Sequence, residues 1–215
     1  MPRTLPNLTR IFSQEIAKAE DFVQRLEAAH VYLSSGSSNQ QIGRTALELA
    51  YELSFLRIFI AWEQFQEQTF ARLLCGYIPR GRTQEPLAAG QQYRRTINDA
   101  ELAILAGQQY RLWHNPTQVA ARARAFFAGG SFELIIASNQ AALIEFAAIR
   151  HRIAHAQDHA RQEFDNATMS LASRRYGGAR PGKFLRDWQR LVIPRRRWIS
   201  VISSDLKNLA AQICP

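Results

Sequence analysis

Apolar residues recur at every third or fourth position along most of this chain, a spacing that places them on one face of an α-helix. The clearest case is a long helix predicted for residues 41–74. Its apolar stripe consists of Leu47, Ala50, Tyr51, Ser54, Ile58, Ala61, Trp62 and Phe65. A helix of the same kind is predicted for residues 11–33, and no segment alternates as a strand would. The sequence therefore predicts an all-α protein, a helical bundle with the long helix at its centre.

Glycine and proline divide the remainder of the chain into shorter predicted elements, because both residues interrupt regular helices. The first is an inserted irregular and helical region at about 76–130, with short helices beginning at Asn98 and at Asn115-Pro116. A helical region at 132–173, broken near Asn139, follows. Next come a basic segment at 174–197, with one short helix at 184–191, and a last helix at 200–213. The chain of 215 residues is close to the length of one average domain or slightly more. We expect a single helical domain over residues 1–215, with its core at about 10–175.

Positive charge is concentrated near the carboxyl end. The net charge is +9, from 27 basic and 18 acidic residues. The basic segment, residues 174–197, contains nine of the basic residues and a single acidic one, Asp187. Arginine matches phosphate geometry, so we expect this segment to bind nucleic acid. The residues predicted to contact RNA are Arg174, Arg175, Arg180, Lys183, Arg195, Arg196 and Arg197. A solvated loop and a surface for an acidic protein are the alternatives.

Aromatic residues are interspersed among these cations and allow two interpretations. They are Tyr176, Phe184, Trp188 and Trp198. Aromatic and arginine side chains together can stack unpaired bases. Alternatively, Trp188 and Trp198 anchor the segment to the helices.

The stretch Arg150-His151-Arg152-Ile153-Ala154-His155 carries groups suited to RNA cleavage. An imidazole can accept the proton of a ribose 2′-hydroxyl, and an arginine can hold the phosphate and stabilise its developing charge. In a straight helix a five-residue spacing separates two side chains by about 140°. A bend near Arg150, or a second subunit, would have to bring Arg150 and His155 into one site. A surface arginine and a half-buried histidine are the simpler alternative.

The same stretch resembles the Arg-x4–6-His motif of the HEPN superfamily of helical ribonucleases. His151 stands where the family carries a polar residue, and Ile153-Ala154-His155 is similar to the family's small-apolar-then-His ending. Residues 53–65 resemble the long second helix of its larger members. The resemblance implies a homodimeric helical bundle with metal-independent endoribonuclease activity, often a toxin or an abortive-infection effector that pairs with an antitoxin protein.

By this resemblance, His155 is the general base or acid, Arg150 contacts the phosphate and His151 supports them. The family often places an acidic or polar group on the second helix, for which Glu63 is the candidate; a solvated face is its alternative reading. The resemblance implies no metal and no other cofactor.

Two rival functions use the same residues. A non-catalytic helical module could bind RNA or a protein through the basic segment. A metal-dependent hydrolase could use His151, His155 and His159, which follow one another at four-residue steps, with Asp158, Glu163 or His114 as a further ligand. A single straight helix, however, seldom provides three ligands to one ion.

The sequence also favours a cytoplasmic protein without a membrane partner. It has only two cysteines, Cys75 and Cys214, which cannot form a disulfide framework. The first residues lack the apolar run of a signal peptide. The longest apolar stretch is far shorter than the roughly 20 residues of a membrane span.

Overall fold

The computed structural model describes residues 3–35, 42–105, 112–190 and 193–215. In these residues it contains nine helices. Their bounds are α1 Leu8–Ser35, α2 Arg44–Leu74, α3 Ile97–Leu105, α4 Pro116–Phe126, α5 Ser131–Ser138, α6 Gln140–Ala154, α7 Asp158–Ala172, α8 Pro181–Arg186 and α9 Trp198–Ile213. Two strands of two residues each, β1 (Arg3–Thr4) and β2 (Tyr77–Ile78), pair in parallel. The all-α prediction is confirmed.

The two longest helices follow the apolar pattern of the sequence. Helix α1 begins three residues before the predicted start, because the Asn7 side chain accepts a hydrogen bond from the backbone N–H of Arg10 (2.8 Å) and so caps the first turn. Helix α2 ends at Leu74, as predicted. Its predicted start at residue 41 lies outside the described residues. All eight residues of the predicted α2 stripe are buried.

The chain divides into two compact units, each built from separate segments. Unit 1 contains residues 1–13, 60–144 and 206–215. Unit 2 contains residues 14–59 and 145–205. The inserted region therefore lies in unit 1 and the basic segment in unit 2. The single domain over residues 1–215 stays a prediction.

The inserted region takes part in the aromatic core of unit 1. The Phe70 ring of α2 contacts rings of that region and of α5 at centroid distances between 4.8 and 5.7 Å. These rings belong to Trp113, Phe126, Phe127 and Phe132. Helix α4 begins as predicted, with Asn115 as its cap and Pro116 in its first turn, although it ends at Phe126 rather than at the following glycines.

Helix α3 corrects one predicted cap. Thr96, and not Asn98, closes its amino end: the Thr96 hydroxyl accepts from the Asp99 N–H (3.1 Å) and the Asp99 carboxylate accepts from the Thr96 N–H (3.2 Å). This reciprocal pair satisfies two backbone donors at once, which a single asparagine cannot do.

Aromatic residues of the basic segment form part of the core of unit 2. The Phe184 ring stacks on Trp198 (5.2 Å, 22°) and meets Tyr176 (5.2 Å) and Phe164 of α7 (6.2 Å) edge to face. Phe184 belongs to α8, which lies earlier in the chain than the helix predicted at 184–191. The basic segment therefore contains one short helix, as predicted, but its bounds are 181–186 rather than 184–191, because Pro181 favours the first turn of a helix.

Membrane-span criteria were met by no individual helix in the described ranges. Helices α5 and α6 meet them only when taken together, across a bend of 68°.

A glycine at the start of α8 permits close packing on α2. A Cβ at Gly182 would overlap the backbone carbonyl of Glu48. We expect Gly182→Ala to lower the free energy of unfolding by about 1–3 kcal/mol, measured by urea denaturation. Gly177→Ala is the matched control, because a Cβ there meets no atom within 4 Å. Equal urea midpoints for the two variants would contradict this packing.

Candidate functional site

The motif residues lie at and just beyond the end of α6. Helix α6 is continuous from Gln140 to Ala154, and the His155 N–H still donates to the His151 carbonyl (2.9 Å). The bend expected near Arg150 is therefore absent, because no glycine or proline interrupts α6 and its apolar face is buried along its length. The break comes after the motif, before α7 starts at Asp158. Arg150 is half-buried and His155 is exposed.

Two histidines and a glutamate are connected across the break between α6 and α7. The His151 Nδ1 lies 2.7 Å from one carboxylate oxygen of Glu163, and the His159 Nε2 lies 3.1 Å from the other. Because an ionised carboxylate only accepts hydrogen bonds, His151 carries its proton on Nδ1.

His155 is the third imidazole of this group. Its ring centroid lies 4.8 Å from that of His151, at an angle of 78°. We call His151, His155, His159 and Glu163 the histidine–glutamate cluster. Sequence reasoning included Glu163 only as a helper in a metal site, since nothing in the pattern indicated that α7 returns toward the motif.

A metal site is not formed in the described part of the chain. No three or more histidine, cysteine, aspartate or glutamate side chains there are arranged to hold an ion. The His151 and His159 rings lie 6.3 Å apart, and Glu163 contacts both. The geometry of His151, His155 and His159 therefore does not support the metal-dependent alternative.

Arg152, which sequence reasoning did not single out, ties the motif to the loop before α8. Its Nη1 donates to the His155 carbonyl (3.1 Å) and its Nε donates to the Ala179 carbonyl (3.1 Å). The side chain therefore satisfies a carbonyl at the end of α6 and fixes the backbone of His155.

Glu63 lies half-buried on α2, in unit 1, whereas Arg150, His151 and His155 belong to unit 2. Its contribution to the site stays a prediction.

Several cations of the basic segment are neutralised by carboxylates. Arg174 pairs with Asp187, and Arg180 with Glu48 of α2. Arg186 and Arg197 both pair with Glu27 of α1, at 2.8 and 3.2 Å. Counting charge along the sequence could not reveal this, because Glu27 and Glu48 are more than 120 residues away from their partners.

The remaining cations of the segment are the ones suited to phosphate. Among the described residues, no hydrogen bond or ion pair engages the side chains of Arg175, Lys183, Arg190 or Arg195. Arg196 donates to the Ser200 carbonyl (2.7 Å), and its charge also acts on the Asp205 carboxylate. The other four side chains have no carboxylate partner in the described part of the chain.

Glu27 is the centre of the buried network that holds the segment. It accepts hydrogen bonds from the Tyr51 hydroxyl (2.9 Å) and from Arg186 Nε (2.8 Å). Burial alone would raise the pKa of Glu27, but the hydrogen bonds from Arg186 and Tyr51 and the charge of Arg197 outweigh it, so the pKa lies below its ordinary value. Burial, with the neighbouring carboxylate, raises the pKa of Tyr51.

Trp188 is the aromatic residue of the segment that remains open to solvent. Its exposed fraction is 46%, whereas Tyr176, Phe184 and Trp198 are at most 5% exposed. The anchoring interpretation therefore holds for Trp198 and not for Trp188. The Arg197 guanidinium carbon lies 4.6 Å from the Trp188 ring centroid, a cation–π contact.

Two cavities meet at Trp188 and Arg197, both within unit 2. The first has a volume of about 290 Å³ and is lined by five cations, Lys183 among them, and by the carboxylates of Glu48 and Asp187. The second, of about 350 Å³, exposes mainly apolar surface. It is also lined by Arg195, Arg196 and Arg197 and by the carboxylates of Glu20 and Glu27. We call the two together the Trp188 cleft. Its positive charge and open indole suit an anion that carries a flat ring.

No protein-family model, curated protein or solved structure matches the chain.

The Glu27 network predicts a pH-dependent loss of stability. We expect Glu27→Gln to lower the free energy of unfolding by about 2–4 kcal/mol at pH 7, because two arginines lose their counter-charge. A depressed pKa stabilises the fold above the pKa of an unfolded glutamate, about 4.3, and this stabilisation is lost as the pH falls through the folded-state pKa. The difference between wild type and variant should therefore shrink in acid, measured by urea denaturation from pH 7 to 3.

Asp21→Asn is the control for this experiment. Asp21 also pairs with an arginine on α1, but its side chain is 57% exposed, so the loss should stay below about 1 kcal/mol. A Glu27→Gln effect that is equally small, or that does not change with pH, would contradict the network.

Proposed function

We propose that this protein is a metal-independent endoribonuclease of the HEPN type. The observation that supports the proposal best is the histidine–glutamate cluster next to Arg150: two imidazoles 4.8 Å apart, one of them oriented by a carboxylate. Such a pair provides one group to accept a proton and one to donate it, which is what phosphodiester cleavage through the 2′-hydroxyl requires.

The chemistry needs only side chains of this kind. One imidazole, assigned to His155, accepts the 2′-hydroxyl proton while the 2′-oxygen forms a bond to the adjacent phosphorus. The bond from phosphorus to the 5′-oxygen breaks, and the leaving oxygen takes a proton from the protonated second imidazole, assigned to His151. Arg150 stabilises the charge on the phosphate. The products are a 2′,3′-cyclic phosphate and a 5′-hydroxyl.

We propose further that the enzyme acts as a homodimer. Because α6 is continuous through Arg150, the rotation of about 140° between Arg150 and His155 remains, and a second copy would complete the site. Leu49 and Leu53, one turn apart on α2, are 52% and 55% exposed and provide apolar surface for a partner. The toxin or defence role, the antitoxin and the cytoplasmic location depend on the resemblance and on composition.

A non-catalytic RNA-binding module is the second candidate. The Trp188 cleft favours it, because the cleft would bind RNA whether or not the histidine–glutamate cluster is active. Cleavage separates the two candidates.

RNA cleavage in EDTA tests the proposal. We expect the purified wild-type chain to cut single-stranded RNA with no divalent metal present, leaving cyclic-phosphate ends that gel electrophoresis and phosphatase resistance identify. His155→Ala and Arg150→Ala should each slow cleavage by at least about a hundredfold, the usual contribution of one acid–base or charge-stabilising group.

His114→Ala is the matched control, because His114 lies in unit 1, outside the motif. Its rate should equal that of the wild type. Wild-type protein that binds RNA but does not cut it would favour the non-catalytic module, and a His155→Ala variant as fast as wild type would remove His155 from the mechanism.

Salt dependence tests the basic segment. Arg195→Ala should weaken RNA binding and reduce the slope of log affinity against log salt by about one, because one phosphate contact is lost. Arg10→Ala, an exposed arginine of α1 outside the segment, should change neither quantity. Fluorescence anisotropy over a salt series measures both, and an unchanged slope for Arg195→Ala would refute a role for this residue in RNA binding.

A further inference from the structure

We propose that the Trp188 cleft binds one unpaired nucleotide, with the base stacked on the indole of Trp188 and the phosphate held by Lys183. This inference rests on the proposed action on RNA and names the form of RNA that the surface selects: a single strand.

The second cavity of the cleft, of about 350 Å³, fits a base. Besides Trp188, its lining includes Val23 and Ile199. Flat heteroaromatic rings stack on exposed aromatic side chains with little dependence on base identity. The volume of about 350 Å³ accommodates one base with part of its ribose.

The indole is held in place before any ligand arrives. The Arg197 guanidinium contacts the ring and is itself fixed by Glu27 and by the Arg186 carbonyl (2.5 Å). The backbone next to Trp188 is hydrogen-bonded on both sides, from Gln189 N–H to the Arg196 carbonyl (2.8 Å) and from Trp198 N–H to the Asp187 carbonyl (3.0 Å). Binding therefore costs little ordering of the protein.

The first cavity of the cleft, of about 290 Å³, fits the phosphate. Four of its cations are already paired with carboxylates: Arg44, Arg174, Arg186 and Arg197. Lys183 also lines this cavity, and its ammonium has no ionic or hydrogen-bonding partner among the described residues. An ammonium without a carboxylate partner beside a base-sized recess suits a phosphate group.

A base within a duplex cannot stack on Trp188. Bases in a duplex are covered on both faces by their neighbours, and the deep major groove of A-form RNA does not admit protein side chains. The indole of Trp188 can stack on a base only when that base is unpaired. Duplex RNA could still touch the outer arginines, but without stacking.

Anisotropy titrations with two RNAs test the proposal in the full-length chain carrying His155→Ala, which prevents cleavage. The probes are a single strand of about six nucleotides and a duplex of about 16 base pairs. In this background Trp188→Ala should weaken single-strand binding by about 5- to 100-fold, the range measured for the loss of one stacked base. Duplex binding should change less than about twofold, and the salt slope for the single strand should not change, because no phosphate contact is removed.

Further variants separate stacking from folding and from charge. Trp188→Phe keeps a ring and should retain most of the single-strand affinity, whereas Trp188→Leu keeps bulk without a ring and should lose it. Lys183→Ala should lower the salt slope by about one. Tyr32→Ala is the control, because it removes an aromatic ring that is 78% exposed and lies outside the lining of both cavities.

Two results would overturn the proposal: single-strand affinity unchanged by Trp188→Ala, or equal losses for single strand and duplex. Failure of the endoribonuclease proposal would look different. Wild-type protein would then bind single strands through Trp188 and leave them intact.

Discussion

The carboxylate of Glu27 is the interaction on which the arrangement of the basic segment depends. It lies on α1, accepts a hydrogen bond from the Tyr51 hydroxyl of α2, and forms ion pairs with both Arg186 and Arg197. Without that negative charge, two partly buried arginines would face each other and the Tyr51 hydroxyl would lose its acceptor. A segment whose own charges repel is in this way fixed to the helices, and Arg197 can support the Trp188 ring. The order of the basic segment and the proposed binding surface thus depend on the same acidic residue.

Local patterns in the sequence predicted where the long helices lie but did not predict all of the helix ends. The stripe from Leu47 to Phe65 predicted α2, because burial on one face leaves a periodic signal. Asn115-Pro116 predicted the start of α4, because capping depends on adjacent residues only. Thr96 and Pro181 show where such reasoning fails: several residues nearby could each begin a helix, and tertiary packing selects among them.

The candidate site was predictable only to the extent that it is local in sequence. Arg150, His151 and His155 fall within six residues, so their chemistry could be read directly. Glu163 approaches His151 only because the chain breaks between α6 and α7, and no pattern gives the angle of that break. The sequence gives the formal charge of the basic segment correctly, but this charge exceeds the charge left without carboxylate partners in the folded protein. The reason is that Glu27 and Glu48, from helices distant in the sequence, pair with its arginines.

Arg152 has a consequence for how the candidate catalytic end and the binding surface move. The Arg152 guanidinium donates hydrogen bonds to the carbonyls of His155 and Ala179. Separating the end of α6 from the loop before α8 therefore breaks at least one of these two hydrogen bonds. The two hydrogen bonds of Arg152 therefore couple the end of α6 to the loop that leads into α8. If a ligand ordered the basic segment, the backbone of His155 would be restrained through the same side chain.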